Sequence, residues 1–417
     1  MFFNKKISIY LLFSFTLFLG FLFEENSSGG ARIDYEYLLP FIKNFSINFE
    51  LGLETFLNNS GSLIHSPSFY MVISFFLKMI KSLTFVKILY LLISLSLPYL
   101  FFKILKQKFE TESNLIFYLS LVIFISPYFR SSAIWLLGDN LSLIFFSLSI
   151  LFFLKFKQNK NNNNYIFISI SFLIACSYIR YYYCIFYFYY LYYFFENLDK
   201  RFLLRIIFFS FLLSIPALFY FYYIITEFNF LQTLNSFGNI DYLNSGITIL
   251  TMIFFYLFPF LLDKELTVWN YYKKRTKVIF IFLSIFSLIY LTHSFLIFDL
   301  INFPQKGGGV FIKFFRILNI NEILPMLFVS FISLLSLDFL FKEDRFSNYF
   351  LLCVLIIALP LSTIYQKYLD PLFFLIFFGL VNSDFIKMKI KYKKLNLKFI
   401  FSYFSSFYLL SVFYYMS

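Results

Sequence analysis

Apolar runs of about 18–20 residues recur from one end of this chain to the other, and no other feature constrains its fold as much. Each run is long enough to cross about 30 Å of hydrocarbon as a helix. A soluble fold for the same 417 residues would need a charged surface, yet only 14% of them are charged and 60% are hydrophobic. Soluble proteins carry roughly 25% charged residues. The expected class is an all-α polytopic membrane protein, one membrane-embedded domain over residues 1–417.

The net charge of +13 would suggest nucleic acid in a soluble protein. Here the bases fall between apolar runs, where the positive-inside rule accounts for them. No compact basic domain exists to bind nucleic acid; the lipid bilayer is the expected partner. Cys176, Cys184 and Cys353 lie inside apolar runs with neither metal spacing nor a disulfide framework. They read as small buried hydrophobes. The 70 Phe and 34 Tyr, with frequent Asn and Lys, match the codon bias of an AT-rich genome, so aromatic richness alone carries no functional argument.

Asn4, Lys5 and Lys6 precede the first run, residues 7–23, which sets that helix with its N-terminus in the cytoplasm. A retained anchor is expected; cleavage near residues 27–31 is the alternative. Polarity then changes abruptly. Residues 24–70 hold six carboxylates (Glu24, Glu25, Asp34, Glu36, Glu50, Glu54) against Arg32 and Lys43. Residues 66–80 are apolar but short for a span. If that stretch crosses, the later basic loops fall outside. If it lies along the membrane surface, the basic clusters at 103–108, 155–160, 200–205, 264–277, 342–345 and 387–398 all fall inside. The second choice puts helices at 85–103, 114–129, 139–155, 164–178, 182–195, 206–225, 247–262, 278–298, 322–341, 348–363, 371–384 and 399–416. With the first helix this makes about thirteen spans, N-terminus inside and C-terminus outside. The first extracytoplasmic loop then covers residues 24–84.

That arrangement gathers the unusual polar residues on the outer side. They are Asp34, Glu36, His65 and Tyr70 of the first loop, Arg130 and Asp139 near the second, and Arg180. Later loops add Lys306 before Gly307–Gly309, then Lys367 and Tyr368. Charges recurring at one membrane edge define a polar site by default. Moving a sugar from a lipid-phosphate donor needs a carboxylate to take the acceptor's proton and cations to hold the departing phosphate. Glycines after Lys306 would let backbone amides approach an anion. Plainer readings stand beside these. Glu50 and Glu54 suit the solvated face of a loop helix, Arg130 and Arg180 suit snorkelling at helix ends, and Asp139 suits a helix start. No phosphate-binding glycine motif for ATP is present, so energy would come from the substrate or an ion gradient.

The order of Asp34-x-Glu36, His65-x-Pro67-x-x-Tyr70, Ser126-Pro127 with Arg130, and Gly138-Asp139-Asn140-Leu141 resembles integral-membrane GT-C glycosyltransferases. The nearest group is the protein O-mannosyltransferase and lipid A aminoarabinose transferase type. The resemblance covers roughly the first 160 residues and implies a GT-C-like module over about 1–225, with variable helices beyond. It implies a catalytic role for Asp34, with Glu36 as its acidic neighbour. His65, Pro67 and Tyr70 match the element that starts a juxtamembrane helix, with Ser66 where the family has its first proline. Arg130 and Asp139 match the second-loop arginine and acid. The family carries adjacent Asp and Glu, whereas Tyr35 separates them here, so either carboxylate could be the base.

The expected function is inverting transfer of a sugar from a polyprenyl-phosphate donor to a hydroxyl of a lipid, glycan or protein. It would take place at the outer face of a bacterial inner membrane. No cofactor is expected, and two neighbouring carboxylates without a third ligand do not indicate a divalent metal. A flippase or transporter of lipid-linked sugars, and an O-antigen-type polymerase or ligase, are the competing readings.

Overall fold

A computed structural model describes residues 2–58, 66–111, 113–228, 240–262, 267–273, 275–295, 301–304, 307–361 and 363–416. Among them there is no strand, only one isolated antiparallel bridge between Ile240 and Leu361. The chain divides into two compact units. One holds residues 1–236, 377–380 and 401–417; the other holds 237–376 and 381–400.

The longer helices are α1 (Phe2–Leu22), α2 (Ala31–Ile47), α3 (Phe49–Leu57), α4 (Ser68–Ile80), α5 (Leu83–Ser94), α6 (Ser96–Phe109) and α7 (Asn114–Ser120). These are followed by α8 (Pro127–Ile134), α9 (Gly138–Gln158), α10 (Asn164–Ile179), α11 (Phe186–Asn197) and α12 (Lys200–Phe228). The second unit contributes α13 (Tyr242–Leu261), α14 (Thr276–Phe295), α15 (Gly309–Ile317), α16 (Ile323–Phe341), α17 (Arg345–Ala358) and α18 (Asp384–Lys391). The last helix is α19 (Leu397–Met416).

Eight helices among the described residues are long and apolar enough to cross a membrane, or up to ten if each of two sharply bent pairs is one passage. Each segment expected from the sequence contains helix, yet α10, α11 and α17 run only 16, 12 and 14 residues. At 1.5 Å per residue they reach about 18–24 Å, less than the roughly 30 Å hydrocarbon core. Residues 164–197 do break into two helices, joined by a 3-10 turn over Tyr181–Ile185. The stretch after the acidic loop forms the 13-residue α4, about 20 Å long and likewise short of the hydrocarbon thickness.

Local signals explain the shape of the first unit. Ser126 caps α8 by accepting from Phe129 N at 3.0 Å, with Pro127 in the first turn. Lys81 ends α4 in the left-handed region at φ 58°. Helix α2 buries Tyr35, Leu38, Phe41, Ile42 and Phe45 along one stripe. Phe41 meets Phe56 of α3 and Tyr70 of α4 at ring distances of 5.5 and 5.7 Å. The three loop helices therefore share one aromatic core. Helices α9 and α10 are held by reciprocal bonds: Ser149 Oγ to Ser169 O at 2.8 Å and Ser169 Oγ to Ser149 O at 2.9 Å. Small residues allow such close approach between membrane helices.

The basic connections of this unit share an end. Gln158 donates to Glu110 Oε1 at 3.1 Å, and Lys160 Nζ donates to Asn197 Oδ1 at 2.7 Å. Helices α1 and α19 run parallel. Phe13 packs on Phe401, and beyond α1 Glu25 accepts from Tyr408 OH at 2.9 Å.

Candidate functional site

Away from the basic end, three connections of the first unit converge: residues 24–82, residues 126–138 and the turn after α10. Ser27 Oγ donates to Pro127 O at 3.0 Å, and Ser28 N donates to Ser131 Oγ at 2.9 Å. Tyr35 packs on Trp135 with ring centroids 5.8 Å apart. Arg180 and Asp139 form an ion pair at 2.9 Å, each side chain 15% exposed. Asp139 sits in the first turn of α9 and Arg180 follows the last residue of α10. Each charge therefore faces the helix end whose dipole favours it.

Tyr70 is the centre of this group. It is 2% exposed. Burial pushes its hydroxyl pKa up; Arg180 opposes the rise, while Asp139, Tyr37 and Asp34 add to it. Three other residues singled out in the sequence (Asp34, Asp139 and Arg180) thus lie within electrostatic reach of the Tyr70 phenol. Burial works against the charge on Arg180, but Asp139 and the surrounding tyrosines hold its pKa above the usual value. Asp34 is half-buried, whereas Glu36 is exposed and pairs with Arg32 at 3.0 Å. The two carboxylates of the Asp-x-Glu pattern are therefore in different surroundings.

A cavity of about 400 Å³ adjoins this group, between α4, α5, α9 and α10. Val72, Phe76, Leu89, Ile93, Phe145 and Tyr178 make it apolar. Its wall also includes Ser68, Leu141 and Ile179, one or two positions from Tyr70, Asp139 and Arg180. Tyr90 reaches from the same wall to Leu137 O and accepts from Leu141 N at 3.3 Å, tying α5 to the start of α9.

Lys87, one turn before Tyr90, also belongs to this group. Its Nζ lies 4.3 Å from the ring centre of Tyr35 and 4.7 Å from that of Trp135, within cation–π range. A lysine inside an otherwise apolar membrane helix was the available signal.

Arg130 is placed differently from the expectation of a phosphate ligand. It is 4% exposed and donates to Glu25 through Nε at 2.8 Å and Nη2 at 2.5 Å. Nη2 also reaches Thr16 O at 3.0 Å, and the ring of Tyr408 lies 4.9 Å away. Trp135 Nε1 donates to Glu25 O at 2.8 Å. The arginine thus joins α1, α8 and α19. Gly20 makes room for it, since a Cβ there would overlap Glu25 Oε2 and come within 2.8 Å of Arg130 Nη2. In the sequence Glu25 looks like any of the six loop carboxylates.

The remaining expected residues are not part of this group. His65 and Lys306 lie outside the described residues. Lys367 and Tyr368 belong to the second unit, where Lys367 Nζ sits 5.5 Å from the ring of Tyr365 and 5.9 Å from that of Tyr368. Of the glycine amides expected to cradle an anion, that of Gly308 is engaged, as is the amide of Val310 that follows them. Gly308 N donates to Ile364 O at 2.7 Å and Val310 N to Gln366 Oε1 at 3.2 Å. The glycines serve close packing: Cβ atoms on Gly307 and Gly309 would sit 2.8 Å from Ile364 O and 2.6 Å from Gln366 Oε1. Cys184 and Cys353 are exposed rather than buried, and Cys176 alone fits the expected core role.

Among the described residues, no three His, Cys, Asp or Glu side chains gather as a metal site. Comparison of the chain with family models, curated proteins and solved structures returns no match.

Proposed function

We propose that this protein is a membrane glycosyltransferase that moves a sugar from a polyprenyl-phosphate donor to an acceptor hydroxyl, with inversion. The observation that carries the reading is Asp34, Tyr70 and the Asp139–Arg180 pair grouped beside an apolar cavity of about 400 Å³. That volume falls in the roughly 300–1,000 Å³ range of ligand pockets. The cavity suits the start of a polyprenyl chain, and Arg180 and Lys87 suit its phosphate. Asp34 is the better base, because it is half-buried and within electrostatic reach of Tyr70, whereas Glu36 lies on the exposed side. Asp34 takes the acceptor's proton as the acceptor oxygen bonds to the anomeric carbon. The bond from that carbon to the phosphate oxygen breaks, and its electron pair leaves with the phosphate.

The positive-inside rule sets the shared basic end of the first unit in the cytoplasm and the site on the outer face. In this reading the three short helices, the bent stretch over residues 114–134 and the helical stretch Gln366–Leu380 also cross, with α18 outside the passage, which makes about thirteen passages. The test is a transfer assay with purified protein, labelled polyprenyl-phosphate sugars and membrane acceptors. Label should move with wild type and stop with Asp34→Asn. Activity lost only in Glu36→Gln would exchange the base. Translocation of lipid-linked sugar in liposomes, with no donor consumed, would replace the enzyme with a flippase.

A further inference from the structure

In the second unit, α18 turns away from the segment before it. The helical stretch Gln366–Leu380 and α18 meet at 90°. The bend is fixed by polar pairs: Asn382 N donates to Asn348 Oδ1 at 2.9 Å, and Asn382 Nδ2 donates to Asp344 Oδ2 at 2.6 Å. Two further contacts set its level. Lys389 is buried and donates to Phe260 O at 3.2 Å and Leu262 O at 3.4 Å, capping the C-terminal carbonyls of α13. Phe385 packs on Phe339 near the end of α16 at 5.0 Å. Both α13 and α16 are long enough to span, so α18 lies across the ends of two membrane helices.

The sequence of α18 suits that position. Ile386, Lys389 and Ile390 face inward, while Lys387 and Lys391 are exposed, followed by exposed Lys393, Lys394 and Lys398. Met388 and Tyr392 stand among them at 50% and 56% exposure. Topology alone needs positive charge in this connection, but it does not need a rigid helix turned by 90° with apolar side chains set between the lysines. A basic amphipathic helix with exposed apolar residues is the form that binds a membrane surface, and clusters of lysines beside a membrane helix attract anionic lipid. We infer that α18 and the turn after it form a docking surface for anionic phospholipid headgroups. The lysines meet the phosphates, and Met388 and Tyr392 enter the headgroup layer.

Full-length protein in nanodiscs would be treated with an amine-acylating reagent and mapped by peptide mass spectrometry. Phosphatidylglycerol discs should slow labelling of Lys387, Lys391, Lys393 and Lys394 several-fold relative to phosphatidylcholine discs, with Lys160 as the unprotected reference. High salt should remove the difference. Native mass spectrometry of detergent-purified protein supplies the second arm. Wild type should retain phosphatidylglycerol over phosphatidylcholine, and replacing the five exposed lysines with Gln should cut that preference by more than about tenfold. A control carrying Gln at Lys103, Lys106, Lys155, Lys157 and Lys160 should keep it. Equal labelling in both discs, or equal loss in both variants, would overturn the proposal and leave the lysines with a role in topology alone.

Discussion

Two arginine–carboxylate pairs in the first unit use the same chemistry in different surroundings. Arg130 and Glu25 are closed off at 4% and 6% exposure, and a threonine carbonyl, a tyrosine hydroxyl and an indole N–H complete their bonding. Arg180 and Asp139 each keep 15% of the side chain exposed, beside a buried tyrosine and an apolar cavity. The first pair joins three helices across more than a hundred residues. The second stands where an anionic group with an apolar tail could reach it. Enclosure, not charge, is what differs between the two pairs.

That contrast breaks most sharply at Arg130. Arg130→Ala strands the Glu25 carboxylate in a buried site and should cost about 3–5 kcal/mol, read as a large drop in melting temperature in detergent. If Arg130→Ala melted like wild type but lost donor binding, the roles of the two pairs would be reversed. Next in size, Arg180→Ala should lower transfer by about 10²–10³-fold while shifting the melting temperature less than Arg130→Ala does. A protein that fails to accumulate would place Arg180 in the structural class as well.

Gly20→Ala tests the enclosure itself without removing either charge. The added methyl pushes into the Arg130–Glu25 pair and should cost about 1–3 kcal/mol; unchanged melting would mean the pair has room to move. The smallest effect belongs to Glu36→Gln. The pair it makes with Arg32 is on the surface, at 55% and 58% exposure, so neither melting nor transfer should change, and loss of transfer would move the base from Asp34 to Glu36.

Much of the candidate site is legible in the sequence. Asp34, Tyr70, Asp139 and Arg180 stood out as polar residues in an apolar chain, and they do come together. Arg130 stood out for the same reason and went elsewhere, because its counter-ion, Glu25, lies 105 positions away and looked like any loop carboxylate. Lys87 was passed over because one lysine barely changes the hydropathy of its run. Three glycines after a lysine suggest an anion cradle, yet Ile364 O takes the amide of Gly308 and Gln366 Oε1 that of Val310.

The sequence by itself determined that the protein is helical and membrane-embedded, which connections are basic, and that residues 66–80 are too short to span upright. These follow from hydropathy, charge and length, which act residue by residue along the chain. Tertiary structure alone decided which arginine is locked and which stands beside a cavity. The partner of a buried charge is set by which helices pack together, and that depends on side-chain shapes brought together from distant parts of the chain.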